Sequence, residues 1–444
     1  MSRFAIRALG ACTHDSPLLA YRDRTGDTIQ FVSDTARIVS NHEASHLVRA
    51  AADGQPFDSL ELAGPRRQIF FDPARAGVGI VTCGGLCPGL NNVIRALVMA
   101  AEYQYGVRRI FGFRYGFLGL VDPSLAVPLR AQDVAEIHHA GGTILGSSRG
   151  PQDPARMLDR LCELDVQVLF VIGGDGSMRG ALSIAEEARR RGVRLAVVGV
   201  PKTIDNDLLY MDQSFGFATA FGEAVGAVGA AHREAQGAPN GIGLVKVMGR
   251  HSGFIACAAT LASGDVNYTL IPEVPFALEG PNGLLESLGR RLTERQHAVI
   301  VVAEGAGQEH FGEEAGGHDA SGNVRLQDVG PFLARRITDH FTAQGREVTL
   351  KYIDPSYIIR SVPANPGDAV FCAMLGFSAM HAGMCGKSEM VVGSWHRTLV
   401  HVPIAEAIAA RNHVDPTGPL WLAVLATTGQ PLAFQDLPGP RPTT

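Results

Sequence analysis

Short runs of β-branched and other apolar residues alternate with amphipathic stretches from Gly77 onward. Amphipathic stretches such as 91–102 and 178–191 have the spacing of helices, so strands and helices are predicted to alternate. This order is typical of βαβ units, in which helices cover both faces of a parallel sheet. The apolar runs predict strands at 77–83, 109–113, 166–172 and 195–200, and a second α/β layer from further runs at 242–247, 298–302, 347–352 and 390–392.

The flanking segments lack this regularity. Residues 1–75 are polar and weakly patterned, with one helix predicted over 34–52 and a turn at Gly64-Pro65, and we interpret them as an N-terminal extension. The stretch 304–328 is rich in glycine and acidic residues and is predicted to be a long surface loop. The tail, 433–444, contains three prolines and little pattern.

Composition narrows the class of protein. With 444 residues, 46% hydrophobic and 19% charged, the chain should form a globular protein of about two domains. The net charge of −5 and the dispersed basic residues argue against a nucleic-acid partner, so an anionic substrate would need a locally basic pocket. Seven scattered cysteines favour a reduced, cytoplasmic chain. No apolar run approaches the ~18 residues of a membrane span.

Three glycine-rich or charged motifs follow the first predicted strands. Residues 82–91 form a glycine turn that could bring backbone N–H groups to an anion, although it lacks the P-loop pattern. Residues 173–177, Gly-Gly-Asp-Gly-Ser, place Asp175 where it could hold Mg²⁺ or simply cap a helix. Residues 201–207, Pro-Lys-Thr-Ile-Asp-Asn-Asp, combine a lysine with two carboxylates, which suits phosphoryl transfer but also suits a turn.

Two arginine motifs follow later strands. Met248-Gly249-Arg250 ends one apolar run, and Arg360 closes the stretch Asp-Pro-Ser-Tyr-Ile-Ile-Arg. A guanidinium fork matches phosphate oxygens, so both arginines are candidate phosphate clamps, the alternative for Arg250 being an ordinary surface arginine. Each motif is ambiguous alone, but four of the five stand directly at predicted strand ends, where open α/β sheets bind ligands.

In this order and spacing the motifs resemble the 6-phosphofructokinase family, and residues 240–250 and 351–360 resemble its longer branch from plants and protists. The resemblance implies two Rossmann-like three-layer α/β domains facing each other across a cleft. The expected ATP-binding domain comprises 76–216 and 361–432, and the expected sugar-phosphate domain comprises 217–360. It also implies ATP and fructose 6-phosphate as substrates, Mg²⁺ as the metal, and a homotetramer.

Site residues carry over position by position from this resemblance. Asp205 matches the catalytic base, and Asp175 matches the metal ligand. Matches to the family's ATP contacts are Gly85, Arg149, Gly150, Gly174, Asp175, Gly176 and Ser177. Matches to its substrate contacts are Thr203, Asp205, Met248, Gly249, Arg250, Glu273, Tyr357 and Arg360.

Two positions bear on the phosphoryl donor, and two others depart from the family pattern. Diphosphate-using members carry an aspartate at the position of Gly176 and a lysine at that of Lys202, so glycine predicts ATP while lysine permits either donor. A diphosphate-dependent enzyme is therefore the alternative. Shorter bacterial members have arginines, supplied to the neighbouring subunit, where this chain has Gly241 and Lys351.

Two other classes of protein remain as alternatives. Residues 42–46, His-Glu-Ala-Ser-His, satisfy the zinc-peptidase pattern on a segment predicted to be helical. A nucleotide-binding regulator without catalysis would keep the fold, although retention of Asp175, Asp205, Arg250 and Arg360 argues against it.

Overall fold

The computed structural model describes residues 3–23, 26–148, 150–314, 317, 325–432 and 434. The strands are β1 (Arg7–Ala8), β2 (His14–Asp15), β3 (Arg22–Asp23), β4 (Gly26–Asp27), β5 (Arg37–Val39), β6 (Ser59–Leu62), β7 (Gln68–Ile69), β8 (Gly77–Thr82), β9 (Arg109–Phe113), β10 (Ala126–Pro128), β11 (Val168–Gly173), β12 (Ala196–Pro201), β13 (Gly241–Val247), β14 (Tyr268–Leu270), β15 (His297–Ala303), β16 (Thr349–Ile353), β17 (Lys387–Ser388), β18 (Met390–Trp395) and β19 (Thr398–Pro403).

The helices likewise run in chain order. They are α1 (Ala44–Ala52), α2 (Leu90–Met99), α3 (Pro154–Glu163), α4 (Asp175–Arg190), α5 (Phe217–Gln236), α6 (Phe254–Ser263), α7 (Leu284–Arg295), α8 (Val329–Ala343), α9 (Ser356–Ile359), α10 (Pro366–Met384), α11 (Ile404–Ala407) and α12 (Pro419–Thr428). Among the described residues, no helix has the length and apolar character needed to cross a membrane.

The chain divides into two compact units. The first contains residues 1–203, 208–216 and 361–411, and the second contains 204–207, 217–360 and 412–444. The predicted α/β class is confirmed in both, because each has a sheet with helices packed on it.

The first unit is built on a nine-stranded sheet of order β10-β9-β8-β11-β12-β18-β19-β6-β5. Its central strands β9, β8, β11, β12 and β18 are parallel. β11 is buried on both faces because alternate side chains point to opposite sides. Leu169 and Val171 pack in the cluster with α3 and α4, while Val168 and Phe170 lie against Gly383 of α10.

The second unit has a parallel four-stranded sheet of order β14-β15-β13-β16. Ile242 and Leu244 of β13 share a core with α7 and α8. On the other face, Gly243 lies against Ala231 of α5, where a Cβ would come within 2.7 Å of the Ala231 carbonyl oxygen. The small residue therefore lets α5 lie close to the sheet.

Several sequence expectations about organisation are wrong. The extension 1–75 is part of the first unit, since β5 and β6 extend its sheet by pairing with β19. The helix expected over 34–52 begins only at Ala44, and β5 occupies part of that range. The apolar pattern grouped 390–392 with the second layer, but β18 pairs with β12 in the first unit, as the domain bounds implied by the resemblance predict.

The domain assignment of the last segment also differs from the prediction. Residues 412–432 were expected in the first domain but belong to the second unit, because α12 packs on α6 and β14. The Gln430 side chain pairs with the backbone of Thr269 in both directions, accepting from its N–H at 2.7 Å and donating to its carbonyl at 3.2 Å. Residues 204–207 likewise cluster with the second unit rather than the first. The predicted tail lies outside the described residues apart from Phe434.

Candidate active site

Three of the sequence motifs meet at one edge of the first unit's sheet. They follow β8, β11 and β12, which are parallel neighbours, so their carboxyl ends lie side by side. Lys202, at the end of β12, is buried and its Nζ donates to the Gly85 carbonyl oxygen at 2.8 Å. Lys202 N also donates to the Gly173 carbonyl at 3.0 Å, which links the second and third motifs.

Local sterics require glycine in these turns. A Cβ on Gly173 would collide with the Ser177 side chain, and Gly84 has a φ of +84° that favours glycine. Gly174 is the N-cap of α4, which begins at Asp175. The first N–H groups of α4 therefore have no helical partners, and the positive end of the helix dipole lies at this edge. The arrangement favours an anion such as a phosphate group.

Asp175 is the charged residue at this helix start. Its carboxylate is about a quarter exposed and forms ion pairs with Arg179 at 3.1 Å and Arg411 at 3.7 Å. Mg²⁺ is typically bound by one or two carboxylates together with substrate phosphates and water. The donor set at Asp175, one carboxylate beside a helix start that favours an anion, therefore fits Mg²⁺. Among the described residues there is no group of three or more potential metal-ligating side chains.

Two further predicted ATP contacts, Arg149 and Gly150, lie between β10 and α3 in the sequence. Gly150 has a φ of +104° and is part of the first unit. Arg149 lies outside the described residues.

Gly176, in the first turn of α4, is exposed, and a Cβ added to it would meet no atom within 4 Å. Thr203, a predicted substrate contact, also belongs to the first unit. Its carbonyl oxygen accepts a hydrogen bond from the Ser214 hydroxyl.

In the second unit, the turn after β13 connects several predicted substrate residues. Gly249 has a φ of +129°, and a Cβ there would collide with the Ser252 carbonyl, so this turn requires glycine between Met248 and Arg250. The Ser252 hydroxyl donates to the Asp205 carbonyl oxygen at 2.8 Å. This bond places the predicted base beside the Met-Gly-Arg turn.

Glu273 is held by the same turn. Its Oε1 accepts hydrogen bonds from Gly253 N at 2.9 Å and from Val414 N at 2.8 Å. The residue thus connects the turn after β13 to the segment that leads into α12. Val414 belongs to 412–432, so the packing of that segment within the second unit also holds Glu273 in place.

Sequence reasoning missed Glu304, which follows β15 directly. Burial, the largest cause, raises the pKa of Glu304, while the positive charges of Arg250, Lys246 and Arg360 oppose this shift. The charges of both predicted phosphate-binding arginines, Arg250 and Arg360, therefore lower the pKa of the same carboxylate. The signal was present, since Glu304 ends an apolar run in the way the other motifs do.

Lys246 was also missed. Its Nζ lies 2.9 Å from a carboxylate oxygen of Asp328 and 2.9 Å from one of Asp354. Asp354 begins the segment that carries Tyr357 and Arg360, so Lys246 ties β13 to that segment. Tyr357 is 74% exposed, and the Arg360 guanidinium lies 4.6 Å from the centre of its ring. No local pattern marks a lysine within a strand as such a link.

The zinc-peptidase interpretation fails on local structure. Helix α1 begins at Ala44, so His42 and Glu43 precede it and the two histidines do not share a helical face. His42 instead lies beside His396, with 3.1 Å between His42 Nδ1 and His396 Nε2.

The departure at Gly241 has a steric basis. A Cβ on Gly241 would collide with the Ala235 carbonyl oxygen, so the arginine of the shorter bacterial members does not fit this backbone. Lys351 is exposed on β16, opposite Gly243 of β13.

Glycine turns at parallel strand ends and a helix start suited to phosphate are features of α/β enzymes that act on phosphorylated substrates. The phosphofructokinase family matches residues 77–383, and the chain belongs to this family. The "ATP-dependent 6-phosphofructokinase" of Amycolatopsis methanolica is 49% identical over 97% of this chain and 95% of its own length. That of Borreliella burgdorferi is 46% identical over 98% of both. "ATP-dependent 6-phosphofructokinase 7" of Arabidopsis thaliana is 47% identical over 85% of this chain and 78% of its own.

Solved structures agree on the fold. The T-state phosphofructokinase of Pichia pastoris has a TM-score of 0.64 and 23% identity, covering 80% of this chain and 37% of its own. The pyrophosphate-dependent phosphofructokinase of Marinobacter aquaeolei also has a TM-score of 0.64, with 20% identity, covering 83% and 94%. Since the second structure is described as pyrophosphate-dependent whereas the sequence relatives are named ATP-dependent, the fold alone does not decide the phosphoryl donor.

Proposed function

We propose that the chain transfers the γ-phosphoryl group of ATP to the 1-hydroxyl of fructose 6-phosphate, giving fructose 1,6-bisphosphate and ADP. The observation that carries this proposal is the meeting of the three motifs after β8, β11 and β12 at one sheet edge. Near-full-length relatives named ATP-dependent 6-phosphofructokinase support it. An activity assay coupled to fructose 1,6-bisphosphate formation tests it, and also separates an enzyme from an inactive regulator.

The ATP phosphates are assigned to the first unit. Backbone N–H groups at the start of α4 bind the phosphate oxygens, and Lys202 places a positive charge beside them. Mg²⁺, when bound, offsets the charge that builds on the transferring group. Asp175 would hold it. The assigned residues are Gly85, Arg149, Gly150, Gly174, Asp175, Gly176 and Ser177.

The sugar phosphate is assigned to the second unit. Arg250 and Arg360 supply guanidinium forks for its phosphate, which phosphate geometry matches in a bidentate manner. Glu273, fixed by two backbone N–H groups, orients the sugar together with Met248 and Gly249. Tyr357 completes the proposed contacts of this unit, and Thr203, which belongs to the first unit, is a further proposed substrate contact.

Asp205 is the proposed base. Its carboxylate accepts the proton of the attacking hydroxyl, while the Ser252 bond to its backbone fixes its position. Asp205→Asn should lower kcat about 10²–10⁴-fold with a modest change in KM. The matched control is Asp212→Asn, since Asp212 accepts a hydrogen bond from Arg397 N and is not among the proposed site residues. A normal kcat in Asp205→Asn would remove it from this role.

Diphosphate is the alternative donor, because Lys202 could pair with either molecule. Gly176 favours ATP, since a carboxylate at that position would oppose the α-phosphate by charge and volume. Product formation with each donor at matched Mg²⁺ decides the question.

A homotetrameric assembly remains a prediction of the family resemblance, and light scattering of the purified protein tests it. A cytoplasmic location remains a prediction of the composition.

A further inference from the structure

Two cysteines that are distant in sequence meet in the first unit. Cys12 lies in the N-terminal extension, and Cys385 immediately follows α10. The Cys12 thiol donates to the Cys385 carbonyl oxygen at 3.5 Å, and the Cys385 thiol donates to the Gln68 carbonyl oxygen at 3.8 Å. Cys12 is half-buried and Cys385 is 2% exposed. Neither residue belongs to the site described above.

Backbone pairing holds the two cysteines together. β1 pairs antiparallel with β17, and Leu9 N donates to the Gly386 carbonyl at 2.9 Å. On the other side of Cys12, Thr13 N donates to the Ile69 carbonyl at 3.1 Å. The segment that carries Cys12 is therefore attached on one side to Gly386 and on the other to β7, and Phe70 N, next to β7, donates to the Met384 carbonyl at 2.9 Å. A disulfide requires a close approach of the two cysteine backbones.

The charges around this pair divide the roles of the two thiols. The neighbouring Cys385 thiol, followed by the charges of Lys387 and Arg66, lowers the pKa of Cys12 to about 7, although burial and Asp34 oppose the shift. The neighbouring Cys12 and burial raise the pKa of Cys385 well above its ordinary value. Near neutral pH, about half of Cys12 is therefore thiolate, which is the reactive form, while Cys385 keeps its proton.

We propose that Cys12 and Cys385 form a peroxide-reactive dithiol site that closes to a disulfide. The Cys12 thiolate attacks one oxygen of hydrogen peroxide, so an S–O bond forms, the O–O bond breaks and hydroxide leaves. The Cys385 thiol then loses its proton and its sulfur attacks the Cys12 sulfur, so the S–S bond forms and the S–O oxygen leaves as water. The peroxide gains two electrons, and the two thiols together lose two.

Closure would attach the N-terminal extension covalently to the region around β17. The two cysteines are 373 positions apart, so the bond would constrain nearly the whole unfolded chain. Oxidation should therefore raise the thermal unfolding midpoint of the wild type and leave that of Cys12→Ser unchanged. A cross-linked protein with an unchanged or lowered midpoint would overturn the stabilising role of this site.

Peptide mapping of the full-length protein tests bond formation without any variant. The reduced protein is treated with hydrogen peroxide at pH 7, and remaining thiols are then blocked with N-ethylmaleimide. We expect a cross-linked peptide pair containing Cys12 and Cys385, an intact mass lower by two hydrogen atoms when measured before blocking, and reversal by dithiothreitol. Cys12→Ser should abolish the cross-link, whereas Cys162→Ser should not, because Cys162 is exposed and lies in α3. Oxidation of Cys162 while both proposed partners stay reduced would overturn the proposal.

Alkylation kinetics test the division of roles. In the reduced protein, the iodoacetamide reaction at Cys12 should have a pH midpoint near 7 and at neutral pH should be about tenfold faster than at Cys162. Burial raises the pKa of Cys162 in the folded protein. Equal rates at the two positions would refute the assignment of Cys12 as the attacking thiol.

Discussion

Gly176→Asp separates the ATP and diphosphate interpretations, and the structure makes it a clean experiment. Gly176 is the second residue of α4, is exposed, and has no atom within 4 Å of an added Cβ. An aspartate in the first turn of a helix is favoured by the helix dipole, and replacing a helical glycine removes a conformational cost. The variant should therefore fold with an unchanged or slightly higher thermal midpoint.

The expected effect lies in ATP binding. Two unit charges ~4 Å apart interact by ~4 kcal/mol at an effective dielectric constant of ~20, and exposure to solvent and salt reduces this. We expect kcat/KM for ATP to fall about 10²-fold, with kcat/KM for fructose 6-phosphate measured at saturating ATP much less affected. Initial rates over a series of ATP concentrations at fixed free Mg²⁺ measure the change.

Two controls separate charge from volume. Gly176→Ala adds only the Cβ that the structure accommodates, so ATP use should stay within a few-fold of wild type. Gly176→Asn adds the volume of aspartate without its charge, so its loss should be intermediate. If Gly176→Asp is folded and retains wild-type kcat/KM for ATP, then position 176 does not exclude a carboxylate and the reasoning about the donor is refuted.

Three further perturbations follow from the second unit and from the core of the first. Arg250→Ala should lower kcat/KM for fructose 6-phosphate by roughly 1.5–3 kcal/mol, the usual contribution of a charged hydrogen bond, and an unchanged value in steady-state assays would exclude the clamp. Lys246→Met should raise KM for the sugar phosphate about tenfold with little change in kcat, because Asp354 loses its ion pair, and Lys246→Arg should restore most of it; equal loss in both variants would contradict a positioning role. Burial lowers the pKa of His381 to about 4, so the unfolded chain binds more protons and stability should decline as pH falls from about 6.5 to 4, by about 3 kcal/mol. Urea unfolding at pH 7.5 and 5 should show a smaller loss for His381→Asn than for wild type, and an equal loss would assign the acid sensitivity elsewhere.

The sequence determined the fold class and most of the proposed site. β9 matches its predicted bounds, and the other predicted strands of both sheets were found to within a few residues. This succeeded because a buried parallel strand needs a continuous apolar run, which is a local property of the sequence. Since the carboxyl ends of neighbouring parallel strands share one edge, motifs placed directly after such runs could be predicted to meet.

The extension shows where local pattern failed. Its helix was predicted over 34–52, yet β5 occupies 37–39 because those residues pair with β6 at the edge of the nine-stranded sheet. Pairing with a distant strand can override a weak local preference. The same reason applies to β18, whose apolar run is clear in sequence but whose partner is chosen by the folded chain.

Tertiary structure alone decided which distant residues became neighbours. Lys246 lies between two carboxylates that follow it by 82 and 108 positions, and Cys12 meets a cysteine near the other end of the chain. Residues 412–432 pack on the second unit although they follow the first unit's last helix. The periodicity of a sequence specifies which face of an element is buried, but not which other element covers it. That choice depends on long-range packing, which determined the supporting contacts around the proposed site. The main motifs of the site could be recognised in the sequence.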